Sequence, residues 1–266
     1  MNILIAIVMG AIQGLTEFLP ISSTAHLILA PWLFHWDQAF LASKSFDIAL
    51  HLGTLVALVV YFWKDIVEVF RAKDWRLLTL VIFGFLPALP AALVEKKIEA
   101  MSEPAQNAMA PVIIAMVLIA FAVLLKWADA TGRRRRVEKN MGVWDALIIG
   151  FGQFIAAAFP GASRSGTTMT FALFRGLTRE AAVRFSFLIS IPTIAGAVIY
   201  SFAKHHHELA GAGAAPLAAG IVSSAVFGYF AVAFLMDFVK RKSMDVFFWY
   251  RIAAGIVVLA VYFARR

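Results

Sequence analysis

The sequence has no cysteine, and only 15% of its residues are charged. The absence of cysteine excludes a disulfide bond, a thiolate nucleophile and a cysteine-ligated metal ion. A soluble domain has about 25% charged residues and roughly 45–50% apolar ones, whereas this chain is 62% hydrophobic. The composition therefore argues against a soluble globular domain and indicates a chain that lies largely in a lipid bilayer.

Uncharged apolar runs recur along the chain, close to the roughly 20 residues that a membrane-spanning helix needs. No polar linker separates two soluble cores, so residues 1–266 are predicted to form a single all-α polytopic membrane domain. The net charge of +8 lies in short loops, which favours orientation signals and predicts no nucleic-acid partner. The full spans are predicted at about 45–63, 77–94, 108–126, 181–203, 216–239 and 245–264.

Two further stretches are apolar at both ends and have a polar, proline-containing centre. The first covers residues 3–34 and has QGLTEFLPISSTAH at its centre; the second covers about 143–174 and has PGASRSGTT. Non-helical backbone at membrane depth is tolerated only when it is buried in protein or lines a water-filled cavity. Each stretch is therefore predicted to form a re-entrant helical hairpin.

The two broken stretches share residues at a constant separation, which predicts an internal repeat. Repeat 1 covers about 1–130 and repeat 2 about 141–266, and each has one re-entrant hairpin followed by three transmembrane helices. Three crossings place the second half on the opposite face, so the repeat has inverted topology and the hairpins meet near the midplane. The matched residues are Gly10, Gln13, Pro20 and Ser23 in the first half and Gly150, Gln153, Pro160 and Ser163 in the second.

The distribution of Lys and Arg predicts the orientation. Most of them lie in loops on one face, including 64–76 and the basic loop at about 126–140 with its run Arg133 to Arg136. Basic loops stay in the cytoplasm. Both termini are then outside, and the first hairpin opens toward the outer, periplasmic face.

The first hairpin contains two ionisable residues, Glu17 and His26, that are costly at membrane depth and are therefore predicted to be functional. Glu17 shares a helical face with Gln13, four residues earlier. It can accept a proton or bind a hard cation, or it can simply cap a helix. His26 can act as a base or form a buried hydrogen bond, and His51 has the same two alternatives.

Hydroxyl groups surround His26 in sequence. Ser22, Ser23 and Thr24 fit either helix capping or contact with a substrate. A serine hydroxyl needs a neighbouring base to become a nucleophile, and His26 is close enough in sequence to serve Ser23. The residues alone therefore predict functional roles for Glu17 and His26, and they leave each of the three hydroxyls open between capping and chemistry.

The second hairpin predicts an anion site. Arg164 has five donors in a planar fork that suits phosphate oxygens. Glycines allow backbone N–H groups to approach an anion, and the following helix N-terminus adds its dipole. The remaining candidates for phosphate contact in this hairpin are Ser163, Ser165, Gly166, Thr167 and Thr168.

With these motifs, the sequence resembles the undecaprenyl pyrophosphate phosphatase family, also called the bacitracin-resistance family. QGLTEFLPISSTAH and PGASRSGTT are similar to its two signature regions, and FDIALHLGT at 46–54 and EAAVRFSFLISIPTIAG at 180–196 also resemble its sequences. The likeness extends over essentially the whole chain. The first family motif reads E/Q-x-x-x-E, which Gln13 and Glu17 match.

The resemblance implies hydrolysis of undecaprenyl diphosphate to undecaprenyl phosphate and phosphate, which recycles the lipid carrier of cell-wall synthesis. By the same resemblance, Glu17, Ser23, His26 and Arg164 are the catalytic positions, and Glu17 binds a divalent cation, Mg²⁺ or Ca²⁺. The nucleophile stays open between Ser23, His26 and water. The expected location is a bacterial cytoplasmic (inner) membrane, and the expected partners are the lipid substrate, the bilayer and a second copy in a homodimer.

Two other function classes fit parts of the sequence. Inverted repeats with broken helices are typical of secondary transporters, so a transporter or flippase of polyprenyl phosphate lipids is the main alternative. A phosphatase of the phosphatidic-acid type is disfavoured because only the fragment SRSG of its motifs is found.

Overall fold

The computed structural model describes residues 3–36, 41, 43–91, 93, 98, 102–104, 106–209 and 213–265. Within that part of the chain it has eleven α-helices and no β-strand, so the all-α prediction is confirmed. The helices are α1 Ile3–Phe18, α2 Ser23–Phe34, α3 Lys44–Tyr61, α4 Trp63–Arg71, α5 Trp75–Phe85, α6 Ala110–Thr131, α7 Val143–Ala158, α8 Arg164–Phe174, α9 Arg179–Leu209, α10 Ala214–Arg241 and α11 Asp245–Ala264.

Five of these helices, α3, α6, α9, α10 and α11, are long and apolar enough to cross a membrane. A multi-pass membrane protein is therefore confirmed at the level of helix length and composition. The remaining predicted span, about 77–94, corresponds to the shorter α5 and a following 3₁₀ turn at Leu86–Ala88. Pro87 and Pro90 explain the difference, because proline lacks the N–H that a helix needs; residues 92 and 94 lie outside the described part.

Both predicted interruptions occur as breaks between two short helices, at 19–22 and at 159–163. The helix after each break has a serine N-cap, Ser22 for α2 and Ser163 for α8. Both caps have positive φ, 77° and 73° respectively. Such a backbone costs a non-glycine residue about 1–3 kcal/mol and is concentrated at functional sites.

The positions of the two N-caps change one residue pair in the alignment of the two hairpins. The sequence pairs Ser23 with Ser163, but the structure pairs Ser22 with Ser163 by cap position and by φ. The second break has one more residue between its proline and its cap. Ser23 therefore corresponds to Arg164, and each is the first residue of its helix.

The first helix of each pair packs closely on a helix of the other half. α1 lies against α10, and α7 lies against α5. A Cβ at Gly10 would be 2.7 Å from the carbonyl oxygen of Gly220, and one at Gly150 would be 2.2 Å from that of Gly84. Both glycines are therefore needed for the close approach of the helices.

Ion pairs join the basic loop at 126–140 to the helix ends next to it. Arg136 donates to both carboxylate oxygens of Asp145, at 3.0 and 2.6 Å, and Arg175 donates to the same carboxylate at 2.7 Å. Burial alone would raise the pKa of Asp145, but the hydrogen bonds from Arg136, the Gly142 N–H and Arg175 lower it to about 2. Arg136 therefore attaches this loop to the start of α7, in addition to any effect on the orientation of the protein in the membrane.

Helix α4 lies in the 64–76 segment that the sequence suggested to be a loop. It has no buried residue. Trp63, Ile66 and Phe70 recur at intervals of three and four, which is the helical signal. Their apolar side chains are interspersed with charged ones, so the segment did not resemble a membrane span.

Candidate active site

Glu17, near the end of α1, is the centre of a buried polar cluster. Its side chain is 7% exposed and accepts from Arg164 Nη2 at 2.5 Å, from Ser23 Oγ at 2.5 Å and from Gln13 Nε2 at 3.2 Å. The next residue, Phe18, is fully buried in the main apolar core, which fixes this end of the helix. One carboxylate thus connects α1 with the first residues of both α2 and α8.

Arg164 reaches this cluster from the second break. Its Nη2 forms the ion pair with Glu17, and its Nη1 donates to the carbonyl oxygen of Ser190 at 3.4 Å. The side chain is 16% exposed. A guanidinium has five N–H donors, so Arg164 can hold Glu17 and still donate to a phosphate oxygen.

A cavity of about 210 Å³ lies against the cluster. Glu17, Ser23 and Thr24 line it from the first hairpin, and Ser163 and Arg164 line it from the second. Because α2 and α8 both begin here, the positive ends of two helix dipoles lie at the same cavity. Positive dipole ends, a guanidinium and hydroxyl groups are a set of donors suited to a phosphate anion.

Ser22 and Thr24, which were predicted to cap a helix or contact a substrate, differ in burial and in the cavities that they line. Ser22 is 2% exposed, caps α2 by accepting from the Ala25 N–H at 3.4 Å, and also lines the cavity. Thr24 is exposed and lines both this cavity and a larger one beside it. The capping role of Ser22 is therefore observed, its contact with a substrate stays a prediction, and Thr24 lies where the two cavities meet.

His26 lies beside the cluster and is not among the residues that line the cavity. Its Nδ1 is 2.7 Å from the carbonyl oxygen of Ser22, and its Nε2 is 2.6 Å from the hydroxyl of Tyr250. The two rings stack with centroids 5.7 Å apart. The hydroxyl of Ser23 donates to Glu17, so the carboxylate, rather than His26, is in place to accept its proton.

His51 of α3 lines the same cavity as Glu17. Its Nδ1 lies 2.9 Å from the carbonyl oxygen and 3.3 Å from the carboxylate of Asp47. This contact orients the imidazole. His51 thus forms a hydrogen bond and also lines the cavity, and its role as a base stays a prediction.

Several residues of the second hairpin that were predicted to contact phosphate form hydrogen bonds to neighbouring segments of the protein. Ser165 donates to the carbonyl oxygen of Leu19 at 3.1 Å, and Thr167 donates to that of Gly152 at 2.7 Å. Thr168 is hydrogen-bonded to the Ser186 hydroxyl at 2.5 Å. None of the three lines the cavity; each is at most 2% exposed, so these hydroxyls hold α8 against its neighbours.

The predicted backbone contact at Gly166 is also occupied, because its N–H donates to the capping Ser163 Oγ at 3.1 Å. A Cβ at Gly166 would lie 3.1 Å from Arg251 Nη1. Glycine here leaves room for a second guanidinium behind the cavity wall.

The oxygen atoms around Glu17 fit a hard divalent cation. The Gln13 amide oxygen is buried and has no hydrogen-bond partner among the residues that the structure describes, while its Nε2 donates to Glu17, which fixes the orientation of the amide. Mg²⁺ is usually bound by one or two carboxylates together with phosphate oxygens and water. Among the described residues there is no group of three or more His, Cys, Asp or Glu that could hold a metal ion; in this cluster the side-chain oxygens that would suit one are those of Glu17 and Gln13.

Arg251 is completely buried in α11 and was not predicted from the sequence. The signal was present, because a lone arginine in the apolar run 245–264 is an ionisable residue at membrane depth, as Glu17 and Arg164 are. The hydroxyl of Tyr250, the neighbour of Arg251 in sequence, lies 2.6 Å from Nε2 of His26.

Comparison with known proteins gives matches over nearly the whole chain. The family model described as bacitracin resistance protein BacA matches residues 6–257. The chain is 47% identical to an undecaprenyl-diphosphatase of Pelobacter propionicus, with 98% of this chain and 97% of that protein covered. It is 42% identical to an undecaprenyl-diphosphatase of Moorella thermoacetica, with both chains covered completely.

Proposed function

Because the chain belongs to the bacitracin resistance protein BacA family, we propose that it is an undecaprenyl-diphosphate phosphatase. It hydrolyses undecaprenyl diphosphate to undecaprenyl phosphate and inorganic phosphate, recycles the lipid carrier of peptidoglycan synthesis and confers bacitracin resistance. The observation that carries the proposal is the contact of Glu17 with both Arg164 and Ser23 at one cavity. A carboxylate, a guanidinium and a hydroxyl together can perform phosphoryl transfer.

The geometry supports Ser23 as the nucleophile of the first step. Ser23 Oγ attacks the terminal phosphorus, the bond from that phosphorus to the bridging oxygen breaks, and undecaprenyl phosphate leaves with the bridging oxygen. The hydroxyl proton passes to Glu17, which already accepts a hydrogen bond from Ser23 at 2.5 Å. Arg164 stabilises the negative charge on the phosphoryl oxygens.

Water completes the reaction in a second step. It attacks the phosphorus bound to Ser23, the bond from phosphorus to Oγ breaks, and inorganic phosphate leaves. Glu17 returns its proton to Oγ while the water loses its proton to the phosphate oxygens or to solvent. His26 as the direct base or nucleophile stays a prediction, since its ring nitrogens contact Ser22 and Tyr250.

The larger cavity beside the site supports a lipid substrate. It has about 390 Å³ and shares Thr24 and His51 with the cavity at Glu17. Leu27, Ile28 and Leu50 form part of its wall. A diphosphate at Glu17 and Arg164 would therefore have an apolar surface next to it for the first isoprene units, with the rest of the tail in the bilayer.

The inverted repeat and the re-entrant hairpins belong to the same proposal. The matched serine caps with positive φ and the reciprocal packing of α1 on α10 and α7 on α5 support two halves with the same plan. The site then opens to the outer face of the bacterial cytoplasmic membrane. The homodimer stays a prediction.

Single cysteines test the orientation, since the natural chain has none. Arg134→Cys lies in the basic loop. Leu93→Cys lies at an 87% exposed position beyond the C-terminal end of α5, whose N-terminal end adjoins the basic 64–76 segment. We expect a membrane-impermeant maleimide to label Leu93→Cys in intact spheroplasts and Arg134→Cys only after permeabilisation. The reverse pattern would invert the proposed orientation.

Divalent cations should be required for phosphate release. Excess EDTA should stop the reaction, and added Mg²⁺ or Ca²⁺ should restore it. Gln13→Leu removes the buried amide oxygen beside Glu17 and should raise the cation concentration for half-maximal activity by about tenfold or more. Full activity in EDTA, or an unchanged cation requirement in Gln13→Leu, would remove this part of the proposal.

The alternative function, a transporter or flippase of polyprenyl phosphate lipids, is favoured by the helix breaks at both hairpins. Protein purified in detergent separates the two functions, because a carrier has no compartments to connect there. We expect release of inorganic phosphate from undecaprenyl diphosphate with turnover. Protein that binds the lipid but releases no phosphate would favour the carrier.

A further inference from the structure

Arg251 is a completely buried arginine in α11 that holds backbone from three places in the chain. Its Nη1 donates to the carbonyl oxygen of Pro20 at 3.1 Å, and its Nη2 donates to those of Gly161 and Ala162 at 2.9 and 3.1 Å. Its Nε donates to the carbonyl oxygen of Leu118 in α6 at 3.1 Å. One guanidinium thus connects both helix breaks.

The environment of Arg251 differs from that of two partly buried arginines. Arg164 and Arg179 are paired with the carboxylates of Glu17 and Asp129, whereas Arg251 has no carboxylate partner within the described part of the chain. The partners observed for its charge are backbone carbonyl dipoles. A buried charge is costly unless it is well hydrogen-bonded, so the two breaks must stay where their carbonyl groups satisfy it.

The bonded carbonyls come just before the reactive residues. Pro20 is three residues before Ser23, and Ala162 is two residues before Arg164. A guanidinium is planar and rigid, so it fixes the distance between the acceptors that its two Nη atoms bind. The separation of the two breaks is therefore set from behind the cavity, without contact between Arg251 and the substrate.

We propose that Arg251 is a positioning residue that holds the two breaks in register, so that Glu17 and Ser23 meet Arg164 at the phosphate. The inference rests on the proposed phosphatase function. Displacement of reacting groups by about 1 Å can cost roughly 10²-fold in rate. Loss of Arg251 should therefore act mainly on turnover, while the groups that bind the substrate remain.

Kinetics of Arg251→Met and Arg251→Lys test the proposal. Methionine keeps an apolar stem without donors, and lysine keeps the charge but lacks the planar fork. We expect kcat to fall by about 10²-fold in Arg251→Met, less in Arg251→Lys, and KM to change little in either. The measurements are phosphate release by purified protein and the midpoint of thermal unfolding.

Arg265→Met is the matched control. Arg265 follows the same helix and also donates to two backbone carbonyls, those of Trp32 and Leu33, at 3.0 and 2.8 Å, but it contacts neither break. Its kcat should stay within about twofold of the natural protein. An equal loss in Arg265→Met and Arg251→Met would overturn the proposal, because any anchor of α11 would then have the same effect.

A distance measurement separates this inference from the proposed function. Spin labels at Leu15→Cys and Phe159→Cys, at exposed positions near the ends of α1 and α7, report the separation of the two breaks. Arg251→Met should shift or broaden the distance distribution, whereas Arg265→Met should not. If the natural protein released no phosphate, the proposed phosphatase function would be wrong. The distance measurement would still test whether Arg251 holds the two breaks in register.

Two results would overturn the positioning role. One is a kcat within about twofold of the natural protein in folded Arg251→Met, or in Arg251→Lys if the methionine variant does not fold. The other is loss of folded protein in both variants, which would assign Arg251 to stability alone.

Discussion

Replacing Arg164 by alanine should lower kcat by about 10³-fold or more, which is the effect of removing an arginine that stabilises the transition state of phosphoryl transfer. The structure gives two reasons. Arg164 lines the cavity, and it forms the ion pair that joins the second hairpin to Glu17. Phosphate release by purified protein at saturating undecaprenyl diphosphate measures the effect.

The alanine variant should also be less stable, because removal of Arg164 leaves Glu17 buried without its partner, at a cost of about 3–5 kcal/mol. Arg164→Lys keeps the charge and should fold better, yet it lacks the planar fork that binds phosphate oxygens. Turnover should remain low in the lysine variant even where the unfolding midpoint is restored.

Arg179→Ala is the matched control for this prediction. Arg179 also forms a bidentate pair with a buried carboxylate, Asp129, at 2.6 and 2.9 Å, away from the cavity. Its removal should reduce stability by a similar amount while the folded protein keeps a kcat within about twofold. A kcat near that of the natural protein in Arg164→Ala would remove Arg164 from the chemistry.

The helices and their breaks were predictable from sequence because both follow from short-range patterns. Apolar runs gave the spans, and a proline in a polar centre gave the interruptions at 19–22 and 159–163. α5 is shorter than predicted because hydropathy does not register that Pro87 and Pro90 end a helix early. α4 was missed because its apolar residues alternate with charged ones.

The meeting of Glu17, Ser23 and Arg164 was predictable from the paired motifs, but the roles of the neighbouring hydroxyls were not. Composition marks Thr167 and Thr168 as donors, yet which way each side chain points depends on the helix rotation about its axis. That rotation is set by packing against other segments, such as Gly152 for Thr167. A hydroxyl facing a neighbouring helix and one facing a cavity look identical in the sequence.

Arg251 was detectable as an isolated charge in an apolar run, but its partners were not. They are carbonyl groups of Pro20, Gly161, Ala162 and Leu118, and every residue has a carbonyl. Only the tertiary structure shows which ones converge. Side-chain motifs therefore identify reacting groups more readily than the residues that position them.

Ser23→Ala should reduce kcat by about 10²-fold or more, as expected when a nucleophile is lost. Its hydroxyl contacts Glu17 at 2.5 Å, so the variant removes both the attacking oxygen and the first proton transfer. His26→Ala should cost less than Ser23→Ala if Glu17 is the proton acceptor. The matched control is Ser43→Ala, since Ser43 is likewise an N-cap, for α3, and lies outside the cavity; its kcat should change less than twofold.

Acid quenching during turnover of substrate labelled at the terminal phosphate separates the three candidate nucleophiles. Phosphoserine survives acid, phosphohistidine does not, and direct attack by water leaves no label on the protein. We expect an acid-stable label at Ser23 that is absent from Ser23→Ala and still present in His26→Ala. An acid-labile label would assign the attack to His26. Turnover without any label on the protein, together with residual activity in Ser23→Ala, would assign the attack on phosphorus to water. Glu17 would then be the base that activates this water instead of the serine.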